Sequence, residues 1–192
     1  KLCSPYLDGT FDKLLPLEHR WQVLAETARG CPYACTFCVA GETKVDTVFG
    51  PRKISDLELR WFGDRFSVQS PIPIWSCLPT DDILSPVKEV LAYNPVITGR
   101  DQRLVRVNFT DGTSIDCTPS HKFCDLRCRE VEAWDLVNGG QVKALSGKHL
   151  WFKVVHSVVP LSGYHDTYCL SVPETSWFFA NGMLVHNCEW GA

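Results

Sequence analysis

Near one end of the chain an asparagine lies between an imidazole and a thiol, in Val185-His186-Asn187-Cys188. An Asn amide can attack its own backbone carbonyl, an adjacent His can polarise that carbonyl, and a Cys can accept an acyl group. Together these groups can cut and rejoin a chain. Far upstream, Cys38 follows the carbonyl of Phe37 and is a second thiol able to take an acyl group from its own backbone. Excising residues 38–187 joins the remainder as RGCPYACTFCEWGA, which brings Cys31, Cys35 and Cys188 into C-x3-C-x2-C spacing.

These residues need a scaffold, and the 192 residues suffice for one good-sized core, with 45% hydrophobic and 21% charged residues, as in an ordinary globular protein. Net charge is −3 and no Lys/Arg block stands out, which argues against nucleic acid as a partner. No apolar run approaches the roughly 20 residues that span a bilayer, and the chain does not start with a signal-peptide pattern. A cytoplasmic monomer acting in cis, with no membrane or required partner, is therefore expected. Without a secretion signal the ten cysteines read as thiol or metal chemistry rather than as a disulfide framework.

Residues 1–37 are turn-rich, with at most one short helix over Leu14 to Ala28, and are too few to hold a core alone. From Val39 the pattern changes to short β-type runs separated by Gly, Pro, Asn and Asp, which predicts an all-β domain. Candidate strands are Lys44 to Phe49, Val87 to Tyr93, Leu104 to Phe109, Thr113 to Thr118, Gln141 to Leu145, Leu150 to Pro160 and Thr167 to Val172. Asp111-Gly112 between two of them is a strong hairpin signal. Helical turns at Ile54 to Leu59 and Val131 to Leu136, each followed by a Gly-containing turn and a new strand, suggest a weak internal duplication. Proline-rich Gln69 to Pro86 reads as a surface loop.

The segment from Cys38 to Asn187 resembles an intein, through four motifs in order. Cys38-Val39-Ala40-Gly41-Glu42-Thr43-Lys44-Val45 is similar to the N-terminal splicing block, and Gly112 to His121 to the block carrying Thr-x-x-His, here Thr118 and His121. Tyr168-Cys169-Leu170-Ser171-Val172 and Phe179 to Asn187 are similar to the last two. Two departures are visible: the family usually has Asp where Cys169 stands, and often His where Ser176 stands. The flanking C-x3-C-x2-C sequence resembles the cluster motif of radical S-adenosylmethionine enzymes, and Ser4 to Phe11 fits their cobalamin-binding branch.

The resemblance implies an all-β Hedgehog/intein horseshoe, with 1–37 as an upstream host fragment, 38–187 as a mini-intein and 188–192 as a downstream host fragment. The stretch between His121 and Tyr168 is too short for a homing endonuclease. The implied chemistry is autocatalytic splicing, a single-turnover reaction without a cofactor. Cys38 forms a thioester with the Phe37 carbonyl, helped by Thr118 and His121. Cys188 takes over the acyl group, with Cys169 as acid or base between the thiols. Asn187 then cyclises with His186 polarising the bond, and an S-to-N shift joins Phe37 to Cys188. A [4Fe-4S] cluster on Cys31, Cys35 and Cys188, with S-adenosylmethionine, is expected only for the complete spliced host enzyme.

Plainer readings stand beside these. Thr118 and His121 also suit a turn cap and a surface imidazole, and Cys169 suits a small buried hydrophobe. His121-x2-Cys124-x3-Cys128 has donors that suit zinc. His149, His156 and His165 read as solvated, and Trp61, Trp75, Trp134, Trp151 and Trp177 as core filling. Rival functions are a cluster-binding host fragment with an inert insertion, and a zinc-binding interaction module. C-x-x-C spacing of Cys35 and Cys38 also predicts a redox gate, since a sulfur held in a disulfide or cluster cannot attack.

Overall fold

A computed structural model of the chain describes residues 38–57, 71–80 and 86–187. The expected N-terminal helix, Trp61, the turn after residue 59, and Cys31, Cys35, Phe37 and Cys188 lie outside the described residues. Alternation builds the sheets: in Val105–Phe109 the residues Val105, Val107 and Phe109 are buried while Arg106 is exposed. In chain order the strands are β1 (Val39–Ala40), β2 (Lys44–Thr47), β3 (Gly50–Lys53), β4 (Ile72–Ser76), β5 (Lys88–Gln102), β6 (Val105–Phe109) and β7 (Ser114–Cys117). There follow β8 (Lys122–Cys124), β9 (Glu130–Glu132), β10 (Gln141–Ser146), β11 (His149–Pro160), β12 (His165–Ser171), β13 (Trp177–Ala180) and β14 (Met183–His186). The all-β expectation holds.

Two long strands change partners in mid-course. The first half of β5 pairs with β4 (Ile74↔Val90), and the second half pairs with β12 (Cys169↔Val96). Between the halves lie Asn94, with a left-handed φ of 51°, and Pro95, which has no N–H for the ladder. Likewise β11 pairs first with β10 (Lys143↔Phe152) and, past a register shift between Val155 and Ser157, with β6 (Val107↔Val158). The ladder runs β10-β11-β6-β7-β1-β12-β5-β4-β2-β13-β14-β8-β9, with β3 on β2, and a β10–β14 pairing brings it back on itself. Val45, Ile74, Ile115, Phe123, Leu170 and Phe178 fill the interior.

The suggested duplication has a structural basis. Ile54 N–H donates to Thr43 O (2.9 Å) and Ser55 N–H to Gly41 O (3.2 Å); in the second half Ala133 N–H donates to His121 O (2.8 Å) and Trp134 N–H to Pro119 O (2.9 Å). Each pair of bonds docks a helical turn on the chain entering a hairpin, β2–β3 in one case and β8–β9 in the other.

Three expectations need correction. The Gln69 to Pro86 stretch contains β4, a strand at which Pro73 is tolerated because β4 meets β2 at one register pair, Thr47↔Ile74. The strand expected to end at Tyr93 continues to Gln102 through the Asn94-Pro95 irregularity. Trp134 and Trp151 are 57% and 47% exposed and do not fill the core, whereas Trp177 is buried.

Candidate functional site

The Thr-x-x-His spacing is that of a tight turn. His121 N–H donates to Thr118 O at 3.0 Å, with Pro119 pre-setting the second position. The turn leaves β7 beside Cys38: Thr118 N–H donates to Cys38 O (2.9 Å), and Cys38 N–H donates to Thr118 Oγ1 (3.1 Å). The backbone nitrogen of the Phe37–Cys38 bond therefore carries a hydroxyl. Cys38 is 1% exposed and His121 fully buried, its ring edge-on to Phe123 at 5.7 Å.

On the other side β1 pairs with β12, Val39 opposite Tyr168 and Ala40 opposite Thr167. One step further, that register sets Cys38 opposite Cys169, and directly opposed residues share a face. Cys169 is buried and its Sγ donates to Leu170 O at 3.4 Å.

Thr98 is the residue that sequence reading missed. Its Oγ1 lies 2.8 Å from Cys38 Sγ and 3.2 Å from Thr167 O. A hydroxyl has one hydrogen and two lone pairs, so it can accept from the thiol while donating to Thr167, or donate to the sulfur as charge develops there. No motif marks Thr98, which lies beyond the Asn94-Pro95 break at which the apparent strand stops.

Asn187, 3% exposed, is held from two sides. Its N–H and its side-chain nitrogen both donate to Ser176 O at 2.9 Å, and its side-chain oxygen accepts from Val172 N–H at 2.8 Å, an orientation assigned from these partners. Ser176 has a left-handed φ of 60° and a backbone N–H donating to Val172 O at 2.8 Å. Its carbonyl, not its side chain, therefore contacts the asparagine. His186 Nδ1 lies 2.7 Å from Asn187 O; a carbonyl only accepts, so Nδ1 carries the hydrogen. Its Nε2 faces Glu130 Oε1 at 3.6 Å, and Trp177 packs edge-on against the ring at 4.9 Å.

Register joins the two ends. Val172, which holds Asn187, is three residues past Cys169 on the same stretch of chain, on the order of 10 Å. The β8–β14 pair Phe123↔Val185, continued two residues, sets His121 opposite Asn187. Hydrogen bonds and register thus set Cys38 with Thr118 and Cys169, and His186 with Asn187, while His121 follows Thr118 in its turn and faces Asn187 by register. Among the described residues no three His, Cys, Asp or Glu side chains are placed to hold a metal ion. His149 and His156 are exposed and His165 half-buried. No described helix is long and apolar enough to cross a membrane.

Comparison with solved structures agrees with this architecture. The TvoVMA intein superposes with a TM-score of 0.67 at 25% identity, over 79% of this chain and 98% of that one. The DnaB intein from Synechocystis sp. PCC 6803 gives 0.66 at 16% identity, over 79% and 98%. The described residues have the intein fold, of the Hedgehog/intein class, the architecture of protein-splicing domains.

Sequence comparison points to the surroundings. A 2-(S-pantetheinyl)-carbapenam-3-carboxylate methyltransferase of Streptantibioticus cattleyicolor is 31% identical over 122 residues, 58% of this chain and 17% of its own length. The cobalamin-dependent radical SAM methyltransferase TokK of Streptomyces tokunonensis is 38% identical over 65 residues, 31% of this chain. The chain spans 17% and 9% of these two relatives, in agreement with an intein placed in a radical SAM host. No protein-family model matches the chain.

Proposed function

We propose that residues 38–187 excise themselves by cysteine-dependent splicing, without nuclease activity, and join Phe37 to Cys188. What supports this reading is strand register, which sets Cys169 opposite Cys38 and His121 opposite Asn187, with each end of the segment held by groups suited to its own step.

In the first step Cys38 Sγ attacks the Phe37 carbonyl carbon; the C–S bond forms, the C–N bond breaks and the Cys38 nitrogen gains a proton. Thr98 supports the sulfur. Thr118, already on that nitrogen, and His121 supply the protonating groups. Cys188 Sγ then attacks the thioester, with Cys169 positioned to relay the proton. Asn187 Nδ2 next attacks its own carbonyl carbon, closing a succinimide and releasing the Cys188 amine. Contact with Ser176 O and Val172 N–H fixes the amide plane, and the His186 Nδ1 hydrogen stabilises the oxyanion. Attack of that amine on the thioester carbonyl completes the new peptide. The short span between β8 and β12 leaves no room for a nuclease domain.

Ligation gives the host sequence its Cys31, Cys35 and Cys188 motif, so cluster and S-adenosylmethionine chemistry belong to the complete host. Intact mass after expression tests the proposal. Splicing yields an excised domain plus a ligated peptide, and a single unprocessed chain in reducing buffer would overturn it.

A further inference from the structure

A second group of sulfurs lies outside the residues assigned to splicing. Lys143 on β10 is fully buried, and its ammonium donates to Thr80 O and to Cys128 Sγ, the latter at 3.2 Å. A buried ammonium is costly unless its hydrogens are accepted, and here one of its acceptors is a thiol sulfur. The Asp125–Arg129 turn presents that sulfur: Cys128 has a left-handed φ of 60° and its N–H donates to Asp125 O (3.1 Å). The Asp125 carboxylate accepts from Arg127 N–H and Arg129 N–H, both at 2.8 Å. A non-glycine residue in that region needs such support.

Two further thiols adjoin. Cys77 and Cys124 belong to one buried cluster, 3% and 0% exposed, and burial raises their pKa to about 11 and about 12 against the pull of Lys143. Cys124 Sγ donates to Asp125 O at 3.4 Å, the same oxygen that accepts from Cys128 N–H, so the two cysteines meet on one carbonyl. Cys128 alone of the three is partly exposed. An oxidant therefore reaches Cys128 first, and the buried pair remain as thiols able to resolve the product.

We propose that Cys128 is a peroxide-oxidised cysteine that closes a disulfide with Cys124 or Cys77, with Lys143 as proton donor. The Cys128 sulfur attacks one peroxide oxygen; an S–O bond forms, the O–O bond breaks, the other oxygen leaves as water with a proton from Lys143, and the Cys128 thiol proton passes to Lys143 in its place. The resulting sulfenic acid is attacked by a neighbouring thiol, forming S–S and breaking S–O, and the second oxygen also leaves as water. In sum two thiols lose two electrons and two protons, and one peroxide becomes two waters. The bridge closes beside the C-terminal junction, because Cys124 pairs with Glu130, the residue facing His186.

The test uses the full chain carrying Cys38→Ala and Asn187→Ala, which stays intact whether or not the splicing reading is correct. After hydrogen peroxide and alkylation, trypsin cuts behind Lys122, Arg127 and Arg129, so Cys124 and Cys128 fall on separate peptides. Expected are a Cys128-Arg129 peptide joined to residues 123–127 or to the Cys77 peptide, its loss in Cys128→Ser, and about tenfold slower formation in Lys143→Met. A Cys128 that stays alkylatable in peroxide, a bridge between Cys77 and Cys124 that persists in Cys128→Ser, or an unchanged rate in a folded Lys143→Met would overturn the proposal.

Discussion

The two ends of the proposed splicing segment are built differently. At Cys38 the sulfur and the backbone nitrogen, which would react in splicing, each meet a side-chain hydroxyl, Thr98 on Sγ and Thr118 on N. At Asn187 the reactive amide is clamped by backbone groups, Ser176 O and Val172 N–H, and only the carbonyl receives a side chain, His186. The difference follows the chemistry. A thiol is a good nucleophile whose step is limited by proton movement, so it needs groups that can switch between donor and acceptor. A carboxamide is a poor nucleophile whose step is limited by geometry, so it needs a fixed plane and a polarised target.

The largest effects should come from removing either reacting group. Cys38→Ala should abolish ligation and leave C-terminal cleavage, whereas Asn187→Ala should abolish C-terminal cleavage and accumulate thioester or branched species. Detection of ligated product from either variant by mass spectrometry would break the contrast. His186→Ala should slow C-terminal cleavage by about 10²- to 10³-fold and spare thiol-induced N-terminal cleavage, because it acts on one carbonyl only.

Smaller effects sharpen the comparison. Thr98→Val keeps the shape and removes the hydroxyl, and should slow N-terminal thioester formation by about tenfold without changing C-terminal cleavage; both rates are readable by gel with and without added thiol. Cys169→Ala should slow transfer to Cys188 severalfold more than it slows the first step, and splicing at the parent rate would reduce Cys169 to a packing residue.

The smallest effect on rate concerns Asp46, which accepts from Gly182 N–H at 3.1 Å in the hairpin leading to His186. Burial raises its pKa from 3.8 to about 6, against the pull of that N–H and of Lys153. The folded chain therefore holds this proton more tightly than the unfolded one. The associated stability is full below pH 3.8 and is lost as pH rises to about 6, on the order of 2–3 kcal/mol. Asp46→Asn can still accept from Gly182 and should melt at higher temperature at pH 7, with a smaller gain at pH 4. Equal gains at both would show that charge plays no part.

Linear order and residue type alone determined the β class, the Thr118–His121 turn and the Asp111-Gly112 hairpin. Each is a short-range pattern. Gly112 with φ 81° and the Asp111 carboxylate, held near pKa 2 by the Thr113 hydroxyl, confirm the hairpin in local terms. The mid-course turns of β5 and β11, β4 inside a proline-rich stretch, and Thr98 against Cys38 were decided only by tertiary structure. Strand partners are set by burial of whole faces across the sheet, and a Thr in a strand looks the same in sequence whether its hydroxyl meets solvent, a carbonyl or the sulfur of a nucleophile.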